Sequence, residues 1–238
     1  MKLDILAFGA HPDDVEISMG GTLIHYISEG KKVGIVDLTE GELGTRGSVE
    51  SRYAEAEKAS NLMGIETRVN LQMKDGFFQQ DEENLMKVIT QIRRFKPEIV
   101  FANSIVDRHP DHAKGAKLVA EAAYLSGLRK IKSTWNGTEQ EAHRPRITLH
   151  YIQDYFITPT IVFDVSSYIE QKMRAVQCYK TQFYDPNSIE PNTPISGKDF
   201  LDFLLGRMKE FGRPIGAEYA EGFTSSKFIG VEDLFHLK

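Results

Sequence analysis

The chain has 238 residues, 41% of them hydrophobic and 26% charged, with a formal net charge of −5. That length and apolar share suffice for a packed core, while the acidic balance argues against nucleic acid or an anionic membrane as the main partner. No run approaches the roughly 18 apolar residues of a transmembrane helix, and a lone cysteine, Cys178, excludes an internal disulfide and a cysteine-based zinc knuckle.

The start, Met1-Lys2-Leu3-Asp4, leads straight into an apolar run instead of a signal peptide, which predicts a cytoplasmic protein. Ile5 to Phe8 is a short continuous apolar stretch of the kind a buried parallel strand needs. It ends in Gly9-Ala10-His11-Pro12-Asp13-Asp14-Val15-Glu16, and helical spacing resumes from Ile17 to Ser28. A dinucleotide-binding turn would carry glycines here; one imidazole and adjacent carboxylates repel phosphate and suit a divalent cation instead.

A second strand, Val33 to Leu38, runs into the polar loop Thr39 to Gly47, and a helix from Ser48 to Met63 carries Arg52. Thr67 to Leu71 is the third strand. Leu85, Val88, Ile89, Ile92 and Phe95 mark an amphipathic helix stopped by Pro97, and Glu98 to Ala102 is the fourth strand. The alternation predicts an α/β, Rossmann-like open sheet, mostly parallel and flanked by helices, with strand order 3-2-1-4. That order makes the first and fourth strands neighbours. The fourth strand leads to Asp107-Arg108-His109-Pro110-Asp111-His112, so two clusters some 95 residues apart are expected to meet at one sheet edge.

A helix from Ala113 to Leu125 follows. Beyond Gly127, strands are expected at Ile147 to Phe156 and Thr160 to Val165, and helices at Ser166 to Thr181 and Asp199 to Phe211, around a proline- and asparagine-rich loop, Tyr184 to Gly197. With no repeats or low-complexity linker, residues 1–238 are expected to form one domain, residues 1–127 holding the metal-binding core and 128–238 completing the pocket. Cys178, in a helical pattern with Met173 and Val176, reads as a packed thiol. His25, His143, His150 and His236 have no acidic company and read as surface or packing residues.

His11, Asp14 and a histidine of the second cluster supply the N and O donors of a hydrolytic zinc site. The same set also suits Fe2+. Of Asp13 and Asp14, one can ligate while the other accepts a proton from water. His109 and His112 share one face of a helix start; either can ligate, leaving the other as an acid oriented by Asp111. Arg52 and Arg108 can orient a carboxylate or clamp an anionic group, although a solvated helix arginine is the simpler role for Arg52, and Glu16 equally suits a helix start.

These two clusters resemble the LmbE-like zinc-dependent N-acetylglucosaminyl deacetylases, whose signatures are a His-Pro-Asp-Asp-Glu type motif and a later His-Pro-Asp-His. Here a valine precedes the glutamate of the first. Thr39 to Gly47, Arg52, Asp107-Arg108 and Gly216 to Phe223 are similar to the BshB branch, which releases acetate from N-acetylglucosaminyl malate in bacillithiol synthesis. The resemblance implies one zinc per subunit on His11, Asp14 and His112, Asp13 as base paired with Arg52, and His109 with Asp111 as acid or electrostatic stabiliser. It implies a small sugar conjugate as substrate, bound through Arg108, Glu42, Thr45 and Arg46, and a homo-oligomer, often a hexamer. Where relatives use a tyrosine for the oxyanion this chain has Phe200, with Tyr184 as a substitute.

Overall fold

A computed structural model describes residues 1–237. In chain order its elements are β1 (Ile5–Gly9), α1 (Asp14–Ser28), β2 (Val33–Thr39), α2 (Val49–Met63), β3 (Thr67–Met73), α3 (Glu82–Phe95), β4 (Ile99–Ala102) and α4 (Pro110–Leu125). A short hairpin, β5 (Thr134–Trp135) and β6 (Thr138–Glu139), precedes β7 (Ile147–Tyr151), β8 (Ile161–Asp164), α5 (Ile169–Val176), α6 (Phe200–Gly212) and β9 (Ala220–Thr224).

Seven strands form one mixed, mostly parallel sheet in the order β3-β2-β1-β4-β7-β9-β8. The five from β3 to β7 are parallel, and β9 runs antiparallel to both β7 and β8. The expected 3-2-1-4 order is therefore present. Ile5 lies opposite Ile99 and Ala7 opposite Phe101, so the loops after β1 and β4 leave the same edge side by side.

Successive side chains of a strand point to opposite faces. Leu6, Phe8, Val36 and Leu38 pack under α3 and α4, while Ile5, Ala7, Val33 and Ile35 pack under α1 and α5. All five residues of β1 are buried, as a strand covered on both sides requires.

Several boundaries differ from the expected ones. α1 starts at Asp14 and α4 at Pro110, whose missing N–H costs nothing in a first turn. The 147–156 run ends as a strand at Tyr151, and the 166–181 helix becomes a 3-10 turn followed by the shorter α5. β9 has no counterpart in the expected elements: Ala-Glu-Gly-Phe-Thr does not alternate, yet all five residues are buried.

Glu221 is stable inside β9 because every neighbour is a donor. Its carboxylate accepts from Gly21 N (2.9 Å), Thr22 N (2.7 Å), Thr22 Oγ1 (2.6 Å) and Lys172 Nζ (2.7 Å). α1 is interrupted at Met19 (φ −144, ψ 17). Glu221 thus sits where the second half of that helix presents free N–H groups and the positive end of its dipole. Among the described residues no helix is long and apolar enough to cross a membrane.

Candidate active site

The turn after β1 is strained where it matters. Asp13 caps α1 at φ +119, a left-handed conformation that costs a non-glycine residue about 1–3 kcal/mol and is typical of functional sites. Its carboxylate lies 3.4 Å from Arg52 Nη2, which also donates to the Pro12 carbonyl. Arg52 is therefore no solvated helix arginine: it is buried, 6% exposed, and clamps this turn from α2. Burial pushes the Asp13 carboxyl up to about 7, against the pull of Arg52 and with help from Asp14.

Asp14 is the hub. Oδ2 accepts from His11 N (2.9 Å) and Asn103 Nδ2 (3.0 Å), and Oδ1 from Gln153 Nε2 (3.0 Å). Oδ1 also lies 3.1 Å from His112 Nε2, and Oδ2 3.6 Å from His11 Nδ1. Each imidazole gives its other nitrogen to a carboxylate: His11 Nε2 to Asp75 Oδ1 at 3.0 Å, and His112 Nδ1 to Asp107 Oδ2. Asp107 is itself held, its Oδ1 accepting from Asp154 N (3.0 Å) and Tyr155 N (2.8 Å). Burial works against charge on both histidines, yet the surrounding carboxylates outweigh it; His112 is raised to about 9, chiefly by Asp14 and Asp107, and His11 well above its ordinary value.

His109 differs. It caps α4, and its Nδ1 accepts the backbone N–H of Asp111 (3.3 Å). Burial and the neighbouring His11 and His112 push its pKa down. An accepting Nδ1 places the proton on Nε2, so this neutral ring presents a donor and not a lone pair. The expected help from the Asp111 carboxylate is small: its charge raises the His109 pKa but is outweighed by burial and the two neighbouring imidazoles. That carboxylate takes Gly76 N (2.6 Å) and Lys114 Nζ (3.1 Å) and lies 3.7 Å from His11 Nε2, while the hydrogen bond from Asp111 to His109 comes from its backbone.

Potential ligand atoms crowd here in overlapping sets: His11 with His109 and His112, and His11 with Asp75 and Asp111, each within 4.8 Å. The donor chemistry fits a divalent cation. Asp13, Asp14, Asp75 and Asp111 are all buried; Arg52 and Lys114 are the arginine and lysine partners of this group, and the imidazoles of His11 and His112 supply the remaining contacts. Histidines hydrogen-bonded to carboxylates are the usual support of a metal site.

A cavity of about 400 Å³ opens at this edge, lined by His11, Asp13, Asp14, Arg52, Arg108, His109, His112 and Thr45. Other expected contacts lie elsewhere. Glu42 braces the site from behind, Oε1 accepting from Asp75 N at 2.7 Å. Arg46 turns away to the Phe183 carbonyl (3.0 Å) and towards Glu190. Tyr184 is half-exposed and does not line the cavity, whereas Phe200 does. Arg108 does line it, but its Nε is bound to Asp154 Oδ2 at 2.9 Å.

Sequence reasoning missed Asp75, Asn103, Gln153 and Arg207. The first three follow the ends of β3, β4 and β7, and that position was the available signal. Glu16 is no simple helix-start charge: Arg68 Nη1 (2.6 Å) and Tyr179 OH (2.9 Å) bind it away from the site. His150 packs against the Asn103 carbonyl (2.9 Å), and the side chain of His236 lies outside the described residues.

A family model described as PIG-L, GlcNAc-PI de-N-acetylase, matches residues 6–123, a span containing both clusters. A crystal structure of the conserved protein TT1542 from Thermus thermophilus is 33% identical, covering 97% of this chain and 98% of that one, at a TM-score of 0.85. The chain belongs to the PIG-L family of LmbE-like deacetylases. The diacetylchitobiose deacetylase of Thermococcus kodakarensis is 28% identical over 98% of this chain and 87% of that protein. A Bacillus anthracis protein described as "Probable N-acetyl-alpha-D-glucosaminyl L-malate deacetylase 2" is 24% identical, over 75% of this chain and 81% of that protein.

Proposed function

We propose that this PIG-L family deacetylase is a zinc-dependent hydrolase of the acetamido group of a GlcNAc conjugate, with His11, Asp14 and His112 as ligands. The observation carrying this reading is the pair of imidazoles that each face Asp14 with one nitrogen and a carboxylate with the other. When bound, the cation polarises the amide carbonyl and makes water more acidic.

The chain's own groups supply the rest. Asp13 stands beside the ligand set without belonging to it, with a proton affinity matched to neutral pH. It accepts the proton of the attacking water. His109 Nε2–H donates to the oxygen that gains charge, and a proton then passes to the departing amine. Arg52 keeps Asp13 in place.

A second reading, deacetylation of N-acetylglucosaminyl malate, draws support from Arg108 and Arg207, which both line the cavity, the first bonded to the Asp154 carboxylate and the second to the Asp154 backbone carbonyl. A homo-oligomer belongs to either reading and is measurable by light scattering. The test is acetate release from GlcNAc, diacetylchitobiose and N-acetylglucosaminyl malate, before chelation, after it, and after zinc is restored. Release that chelator abolishes and zinc restores is expected; release indifferent to chelator overturns the proposal. A preference for the malate conjugate selects the second reading.

A further inference from the structure

α6 directs one face into the cavity. Phe200, Phe203, Leu204, Arg207, Met208 and Phe211 recur at three- and four-residue spacing, and all six line it. Ile17 and Ser18 of α1, one turn beyond Asp14, line the same cavity, and Ile17 packs against the cluster that holds Phe200, Leu204 and Met208. At the inner end lies the Lys172–Glu221 pair, 2.7 Å apart and with both side chains 1% exposed. Each neutralises the other.

The inner end of the passage therefore carries no net charge. Arg52 is paired with Asp13 and Pro12 and Arg108 with Asp154, while Arg207 is bonded to the Asp154 carbonyl and lies over the Phe203 ring. The rest of the wall, Ile17, Phe200, Leu204, Met208 and Phe211, is aromatic and aliphatic, and an anion placed against it would lose its water without gaining a partner there. A separate observation points to a ligand. Ser18 lines this passage, is 7% exposed, and its Oγ has no hydrogen-bond partner. A buried hydroxyl left unpaired costs about as much as a lost hydrogen bond, so a partner brought by a bound molecule would relieve it.

We propose that the space between α1 and α6 is a subsite for an uncharged alkyl or aryl substituent carried by the substrate beside the scissile amide, with Ser18 Oγ bonding an ether or carbonyl oxygen at its base. The inference rests on the deacetylase reading for the identity of the amide. The substituent is either the aglycone on the anomeric carbon or an acyl chain longer than acetyl.

Two substrate series separate these sources: N-acetylglucosaminides bearing methyl, butyl, hexyl or phenyl at the anomeric carbon, and glucosamines bearing acetyl, butanoyl or hexanoyl on nitrogen. In one series kcat/KM should rise about two- to fourfold per methylene, the gain expected from burying apolar surface less the cost of ordering the chain. Leu204→Gln should erase most of that rise. Because Leu204 also packs in the core, Phe203→Ala, at a half-exposed position, is the companion variant and should reduce it about threefold or more. A flat response in both series, or a rise that neither variant changes, overturns the subsite. If no compound is cleaved, the deacetylase reading fails instead, and calorimetry decides the subsite alone. Hexyl β-D-glucoside binding tighter than glucose, or N-hexanoylglucosamine tighter than GlcNAc, supports it; equal affinities within both pairs overturn it.

Discussion

Asp75→Asn isolates the support of the proposed metal site from the site itself. Asp75 Oδ1 faces His11 Nε2 at 3.0 Å, while Oδ2 accepts the Leu43 backbone N–H at 3.0 Å. An asparagine has one oxygen, and the Leu43 N–H claims it. The amide NH2 then faces His11 Nε2, which must accept, so the ring proton moves to Nδ1, the nitrogen directed at Asp14. That tautomer has no lone pair for a metal. Loss of such a supporting bond lowers metal affinity about 10- to 100-fold, or about 1.4–2.7 kcal/mol. Competition against a fluorescent zinc chelator measures this directly, with a thermal melt of the metal-free protein to verify the fold. Asp14→Asn, which removes a proposed ligand, should cost more. If Asp75→Asn abolishes binding while Asp14→Asn retains it, the metal sits in the His11, Asp75 and Asp111 group and the assignment is wrong.

Asp13→Asn should lower kcat by at least about 100-fold with zinc affinity retained; turnover near the wild-type rate would remove Asp13 as the base. Arg68→Met strips the partner from two buried carboxylates, Asp37 (2.7 and 2.9 Å) and Glu16 (2.6 Å). Urea unfolding should register a loss of about 3–5 kcal/mol, and a loss under about 1 would show that these carboxylates are not dependent on it. Two glycines give opposite expectations. A Cβ at Gly21 would lie 2.8 Å from Val165 Cβ and 3.1 Å from Glu221 Oε1, so Gly21→Ala should destabilise by about 1–3 kcal/mol. At Gly206, exposed on α6, nothing lies within 4 Å, and Gly206→Ala should stabilise by about 0.4–1 kcal/mol.

By itself the sequence determined the frame. Parallel strands buried on both faces read as continuous apolar runs, and connections of helical length force neighbouring strands to run parallel. From this alone, the His11-Pro-Asp-Asp and His109-Pro-Asp-His motifs had to meet at one sheet edge. Spacing could not say which histidine offers a lone pair. That depends on what each ring's second nitrogen touches: the Asp107 carboxylate for His112, and a backbone N–H for His109. Asp75 and Gln153 were hidden for a related reason, since a polar residue after a strand gives no sign of whether it turns inward. β9 was missed because its Glu221 is buried against Lys172 and the interrupted α1, a pairing across 49 and about 200 residues of chain that no local period encodes. Only the tertiary structure could lay α6, amphipathic by its pattern, against β8 and β9 so that the same face also walls the cavity, because an apolar face records that it is shielded from water but not by what.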